Sequence, residues 1–146
     1  MFRKSIISLS LACGLIIPLF AAPAHRVLFF TKSSGFEHDV ISWKKGQPSF
    51  AEKIFLDLGA KHDWEFVFSK DGSKFSPEYL ADFDAVIFYT TGDLTSPGND
   101  GQPAMSPAGK QALFDYIKGG KGFIGIHSAT DAFHTANESQ KGPDRY

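Results

Sequence analysis

Four short apolar runs stand out along the chain after residue 24: Val27-Leu28-Phe29-Phe30-Thr31, Glu65 to Ser69, Ala85 to Tyr89 and Gly122 to Ile126. Continuous apolar runs of this length mark strands buried on both faces. The segments between them read differently. Pro48 can sit in a first helical turn, and Phe50, Ile54 and Leu58 follow at spacing four, with Phe55 widening the stripe and Gly59 near the end. Ser76-Pro77 supplies a cap and a first-turn proline for a short helix through Leu80. Ser106-Pro107 repeats that signal, Leu113, Phe114 and Ile117 give the next helix its apolar face, and Gly119-Gly120 stops it. Thr31 to Ser42 and Thr91 to Met105 read as loops, and Asp71-Gly72-Ser73 as a turn.

The predicted order is β-α-β-α-β-α-β. Buried strands alternating with helices argue an α/β fold with a doubly wound parallel sheet. Thr135 to Tyr146 is polar and has no apolar period. A parallel sheet needs both faces covered, so the expectation is the front part of a longer domain, truncated at the C-terminus.

The first 24 residues read as a leader. Arg3 and Lys4 precede an apolar run, Ile6 to Phe20, and Ala22-Pro23-Ala24 supplies small residues for cleavage after Ala24. The run is short for a membrane-spanning helix. The pattern predicts a secreted or periplasmic protein with no stable membrane insertion after cleavage, the domain being 25–146. Cys13, the single cysteine, falls in the leader, which leaves no disulfide and no thiol chemistry. The formal net charge is −1, and losing Arg3 and Lys4 makes it more acidic. No basic patch points to nucleic acid. Fifteen phenylalanines point to an aromatic core.

In an open α/β sheet, ligands bind beyond the carboxyl ends of the strands. Those loops hold Ser33, Ser34, Gly35, Glu37, His38 and Asp39, then Thr90, Thr91, Gly92 and Asp93, then His127, Ser128, Thr130, Asp131 and His134. Three of the five histidines fall there. His127 comes straight off a strand, where an imidazole can act as acid or base near neutral pH. The alternative is a histidine that simply holds the turn. His38, His127 and His134 are candidate ligands of a divalent metal, although no local spacing matches a strong zinc motif. His127, His38 and Asp131 are the candidate catalytic residues. Gly35, Thr91, Gly92, Asp93 and Ser128 are the candidate substrate-binding residues. Asp93 and Asp131 fit a carboxylate pair, but an Asp after a strand is also a common turn residue. Ser128 lies in Gly125-Ile126-His127-Ser128-Ala129, a poor match to the G-x-S-x-G elbow, and a helix-capping hydroxyl is the better reading. Ser33-Ser34-Gly35 lacks a phosphate-loop pattern.

Three stretches together carry a resemblance. They are Val27-Leu28-Phe29-Phe30 leading to Gly35-Phe36-Glu37-His38-Asp39, then Phe83-Asp84-Ala85-Val86-Ile87, and Gly119-Gly120-Lys121-Gly122-Phe123-Ile124-Gly125-Ile126-His127-Ser128-Ala129. They resemble the ThuA-like, trehalose-utilisation family. The resemblance implies a flavodoxin-like sandwich related to class I glutamine amidotransferases, with His127 at the position of their cysteine. It therefore implies no thiol amidotransferase. It also implies a small carbohydrate ligand, a trehalose-type disaccharide or keto-glycoside, and a hydrolase-, lyase- or isomerase-type activity. A non-catalytic sugar-binding module and an inactive fragment are the alternatives.

Overall fold

The structure is a computed structural model and describes residues 22–133. Most of the expected leader and everything from His134 onward lie outside the described residues. Four parallel strands form one sheet: β1 (His25–Phe30), β2 (Trp64–Ser69), β3 (Ala85–Phe88) and β4 (Gly122–Gly125), in the order β2-β1-β3-β4. Three helices connect them: α1 (Phe50–His62), α2 (Pro77–Ala81) and α3 (Pro107–Lys118). This is a doubly wound, flavodoxin-like arrangement. Its switch point lies between β1 and β3, because one chain path leaves toward β2 and the other toward β4.

The two faces of β1 feed two cores. Leu28 and Phe30 join Phe88, Leu80 of α2 and Leu113 of α3. Val27 and Phe29 join Ile87, Ile41 and the α1 residues Ala51 and Phe55. Edge-to-face and tilted phenylalanine pairs fill both layers, such as Phe30–Phe75 at 4.7 Å and Phe29–Phe55 at 4.4 Å. The phenylalanine-rich composition is thus largely core.

The capping signals at α2 and α3 act as read. Ser76 accepts from the Tyr79 N–H and Ser106 from the Gly109 N–H, each followed by proline. Helix α1 departs from the expected face. Phe50 is 65% exposed, and Ile54 and Leu58 also face outward, while Ala51, Glu52, Phe55 and Gly59 turn in. Apolar residues surround most of this helix, so spacing alone selects no face. The small residues decide it: an ideal Cβ on Gly59 would stand 2.6 Å from the Trp64 carbonyl oxygen. Pro48 lies just before the helix rather than in it, and Ser49 with Glu52 forms a capping box that opens α1.

Strand β4 also differs from the buried strand expected. It is an edge strand, and Ile124 is 53% exposed because nothing among the described residues covers its second face. The shift in strand ends by a residue or two is ordinary.

Two measurements check this packing. Gly59→Ala forces the α1–β2 backbones apart and lowers stability by about 1–3 kcal/mol in urea unfolding. Burial, and secondarily the Asp84 charge, raises the Tyr116 hydroxyl to about 12, and this group donates to the Phe83 carbonyl at 3.1 Å. An unfolded tyrosine loses its proton near pH 10. Between these values the folded chain holds the proton that the unfolded chain releases, so this contribution to stability falls as pH rises from about 10 to about 12. Tyr116→Phe flattens that part of the urea-midpoint profile.

Candidate active site at the strand carboxyl ends

The loops after β1 and β3 are joined tightly. Ser34 N and Gly35 N donate to the Thr91 carbonyl at 2.8 and 3.2 Å, and Thr91 Oγ1 donates to the Phe36 carbonyl at 2.7 Å. Gly92 adopts φ +70°, and a Cβ there would meet Gly35 N at 2.6 Å. Asn99 Nδ2 donates to the Gly35 carbonyl at 2.6 Å, and Ser33 N donates to Asp100 Oδ2 at 2.8 Å. The glycine- and proline-rich loop is therefore a clamp. Gly35, Thr91 and Gly92 hold that clamp. Asp93 folds its own turn, with Oδ1 accepting from Thr95 N at 2.9 Å and from Thr95 Oγ1 at 2.7 Å.

Two lysines at strand ends brace the same region, and neither was singled out by sequence. Lys32 is wholly buried, and its Nζ donates to the Gln102 carbonyl at 2.8 Å. Burial holds its pKa below the usual lysine value; Asp100 and Asp71 oppose that shift and the Lys70 charge adds to it. The Lys70 side chain is 1% exposed. Its ammonium donates to the Thr31 carbonyl and to Glu37 Oε1, both at 2.9 Å. A buried ammonium needs such partners, and this one ties β2 to the residue before His38.

The result is a convergence of rings. His38 and His127 lie 4.6 Å apart between centroids, at 63°. Tyr89 stacks beside His127 at 6.0 Å and 18°, and also lies 5.9 Å from His38. Phe36 meets His38 at 5.0 Å. His38 is half-buried and His127 exposed. The sequence offered a weak signal for Tyr89: it ends the third apolar run, in step with Ile87.

His127 adopts φ +59°, immediately after Ile126 and at the head of a short 3₁₀ turn, His127–Asp131. A left-handed non-glycine residue at a strand-to-helix elbow holds its side chain out at the sheet's end. The Ser128 N–H donates to His127 Nδ1 at 2.7 Å. That bond assigns the proton of the neutral ring to Nε2. Ser128 Oγ stands 3.0 Å from Nδ1 and donates to the Thr90 carbonyl at 3.2 Å. The expected capping role of Ser128 is not what the turn shows: its cap residue is Ile126, with no side-chain cap bond. Asp131 is exposed at the far end of the turn. His134 lies outside the described residues. Among the described residues no group of three His, Cys, Asp or Glu side chains is placed to hold a metal ion. His38 and His127 alone are two of the donors such a site needs.

The sequence profile of the ThuA family, described as trehalose utilisation, matches residues 26–141. The chain belongs to the ThuA family. A crystal structure of a ThuA-like protein from Bacteroides uniformis ATCC 8492 has the same fold, with a TM-score of 0.52 and 21% sequence identity. The similarity covers 80% of this chain and 41% of that one, so the chain spans less than half the length of its ThuA-like neighbour. No curated protein matches the chain. Both halves of the ring pair fall inside the matched segment.

Two substitutions probe how the pair is held. Lys70→Met removes the brace under Glu37 and costs about 2 kcal/mol in urea unfolding. It also broadens or shifts the His38 ring signals in proton NMR, whereas Lys121→Met, remote from the loop, leaves them in place. His127→Gly relieves the left-handed backbone and gains up to about 1 kcal/mol of stability while removing the imidazole.

Proposed function

We propose that the chain is a sugar-processing enzyme of trehalose-type carbohydrate metabolism, acting on a disaccharide or keto-glycoside through His127 and His38. The observation that carries the reading is the 4.6 Å approach of two imidazoles from different loops, at the switch point of the sheet. The family's description, trehalose utilisation, supports the disaccharide part of this reading.

The roles follow from the hydrogen bonds. Ser128 N–H occupies Nδ1 of His127, so Nε2–H of the neutral ring is the group offered to a substrate oxygen. It polarises a carbonyl, or holds a departing glycosidic oxygen by a hydrogen bond while that oxygen takes up the proton His38 has collected. His38, across the ring contact, takes the proton that the reaction releases, from water or from the carbon beside a keto group. Tyr89 stacks on His127 and limits its rotation. With Cys13 as the only cysteine, and that in the leader, thiol amidotransferase chemistry has no nucleophile in this reading. Secretion or periplasmic placement, with cleavage after Ala24, belongs to the same proposal.

The test is turnover of trehalose and a keto-glycoside panel by the full chain. His127→Ala and His38→Ala each lower kcat by about 10²–10⁴-fold with melting behaviour retained. No turnover by the wild type, or wild-type kcat in both variants, removes the acid–base reading.

A further inference from the structure

The chain just after His38 also lines a cleft. A cleft of about 300 Å³ is walled by Trp43, Gly46, Gln47, Pro48, Glu52 and Phe68. Trp43 is 42% exposed, yet it is held in place. Its Nε1–H donates to Glu52 Oε1 at 2.7 Å, and the Lys70 ammonium lies 5.4 Å from its ring centre. The α1 capping box uses the other Glu52 oxygen, Oε2, which accepts from Ser49 N at 2.6 Å. Oε1 of a buried carboxylate therefore serves to orient a solvent-facing indole. An aromatic plane that is rigid and open is a preorganised binding surface.

The polar groups behind the cleft are already engaged. Glu52 accepts from two donors, one at each oxygen, and Lys70 is paired with Glu37. An anionic ligand finds no unpaired cation there. Phe68 and Pro48 add apolar wall, and the Gln47 amide adds a polar group. Such a surface fits a neutral molecule with an apolar face and a hydroxyl-bearing edge.

We infer that the Trp43 cleft is a subsite for a pyranose ring, the second ring of a disaccharide whose first ring meets His38 and His127. This rests on the sugar reading above and extends it to a site outside the histidine pair. Trp43 comes five positions after His38, a reach of at most about 18 Å. A turn closed by Ile41 N to the His38 carbonyl at 3.1 Å shortens it. The two places share one support, because Lys70 bonds the residue before His38 and underlies Trp43.

The chain has two tryptophans, so Trp64→Phe leaves Trp43 as the sole indole reporter. Trehalose, methyl α-glucoside and cyclohexanol are titrated into that full-length variant. The subsite predicts a saturable change in Trp43 emission with trehalose. It also predicts about tenfold weaker trehalose binding in Trp43→Ala by calorimetry, with Trp43→Phe retaining most of the affinity. Unchanged emission at saturating trehalose, equal affinity in Trp43→Ala, or a response to cyclohexanol alone overturns it. If Trp43→Ala does not fold, the emission titration and Trp43→Phe decide. A trehalose response at Trp43 without His127-dependent turnover keeps the subsite and removes the catalytic reading. His127-dependent turnover with a silent Trp43 does the reverse.

Discussion

Strand β1 is enclosed on every side. Leu28, Phe29 and Phe30 are wholly buried, so neither face meets water. Its backbone groups must then be paired by strands on both edges, because an unpaired buried amide is costly. β2 and β3 meet that need in parallel register, Leu28 opposite Val67 on one side and Val86 on the other. Parallel neighbours require crossovers, the crossovers supply the helices, and the helices cover the faces. Reversal of the winding direction beside β1 then leaves a crevice at its carboxyl end.

That crevice is kept in shape by polar contacts rather than by further apolar packing. The chain beyond β1 stays buried through Thr31, Lys32 and Ser33. Two ammonium groups sit in this region, each bonded to backbone carbonyl oxygen and the second also to a carboxylate. The clamp from Ser34 and Gly35 to Thr91 fixes where the first loop turns back. The ring pair is the outcome of these constraints. His38 arrives from the braced loop, and His127 arrives from an elbow whose backbone only a local constraint sustains.

Strands, crossover helices and their order were legible because each strand is written as a short apolar run, fully enclosed only in much of β1 and β3, and Ser-Pro pairs punctuate the starts of α2 and α3. The ThuA-like resemblance was legible in Gly119 to Ala129. The inner face of α1 was not, since Phe50, Ile54 and Phe55 compete and only the contact of Gly59 with Trp64 breaks the tie. At the site, His38 and His127 stood out as residue types after strands. The supporting roles of Gly35, Thr91 and Gly92 were hidden, because a backbone clamp leaves the same small polar residues that a ligand pocket does. Lys32 and Lys70 were hidden for a related reason: sequence shows a charge but not whether partners wait for it in the interior.

The Lys70 brace has a consequence for how the chain assembles. Glu37 cannot be anchored until β2 has docked on β1, and His127 cannot reach His38 until β4 has registered against β3. Each of these closures joins distant parts of the chain, and such contacts form late relative to local turns. The paired imidazoles therefore exist only in a sheet whose four strands are all in register. A copy with a slipped edge strand does not form the ring pair at all, so the pair reports that all four strands have docked in register.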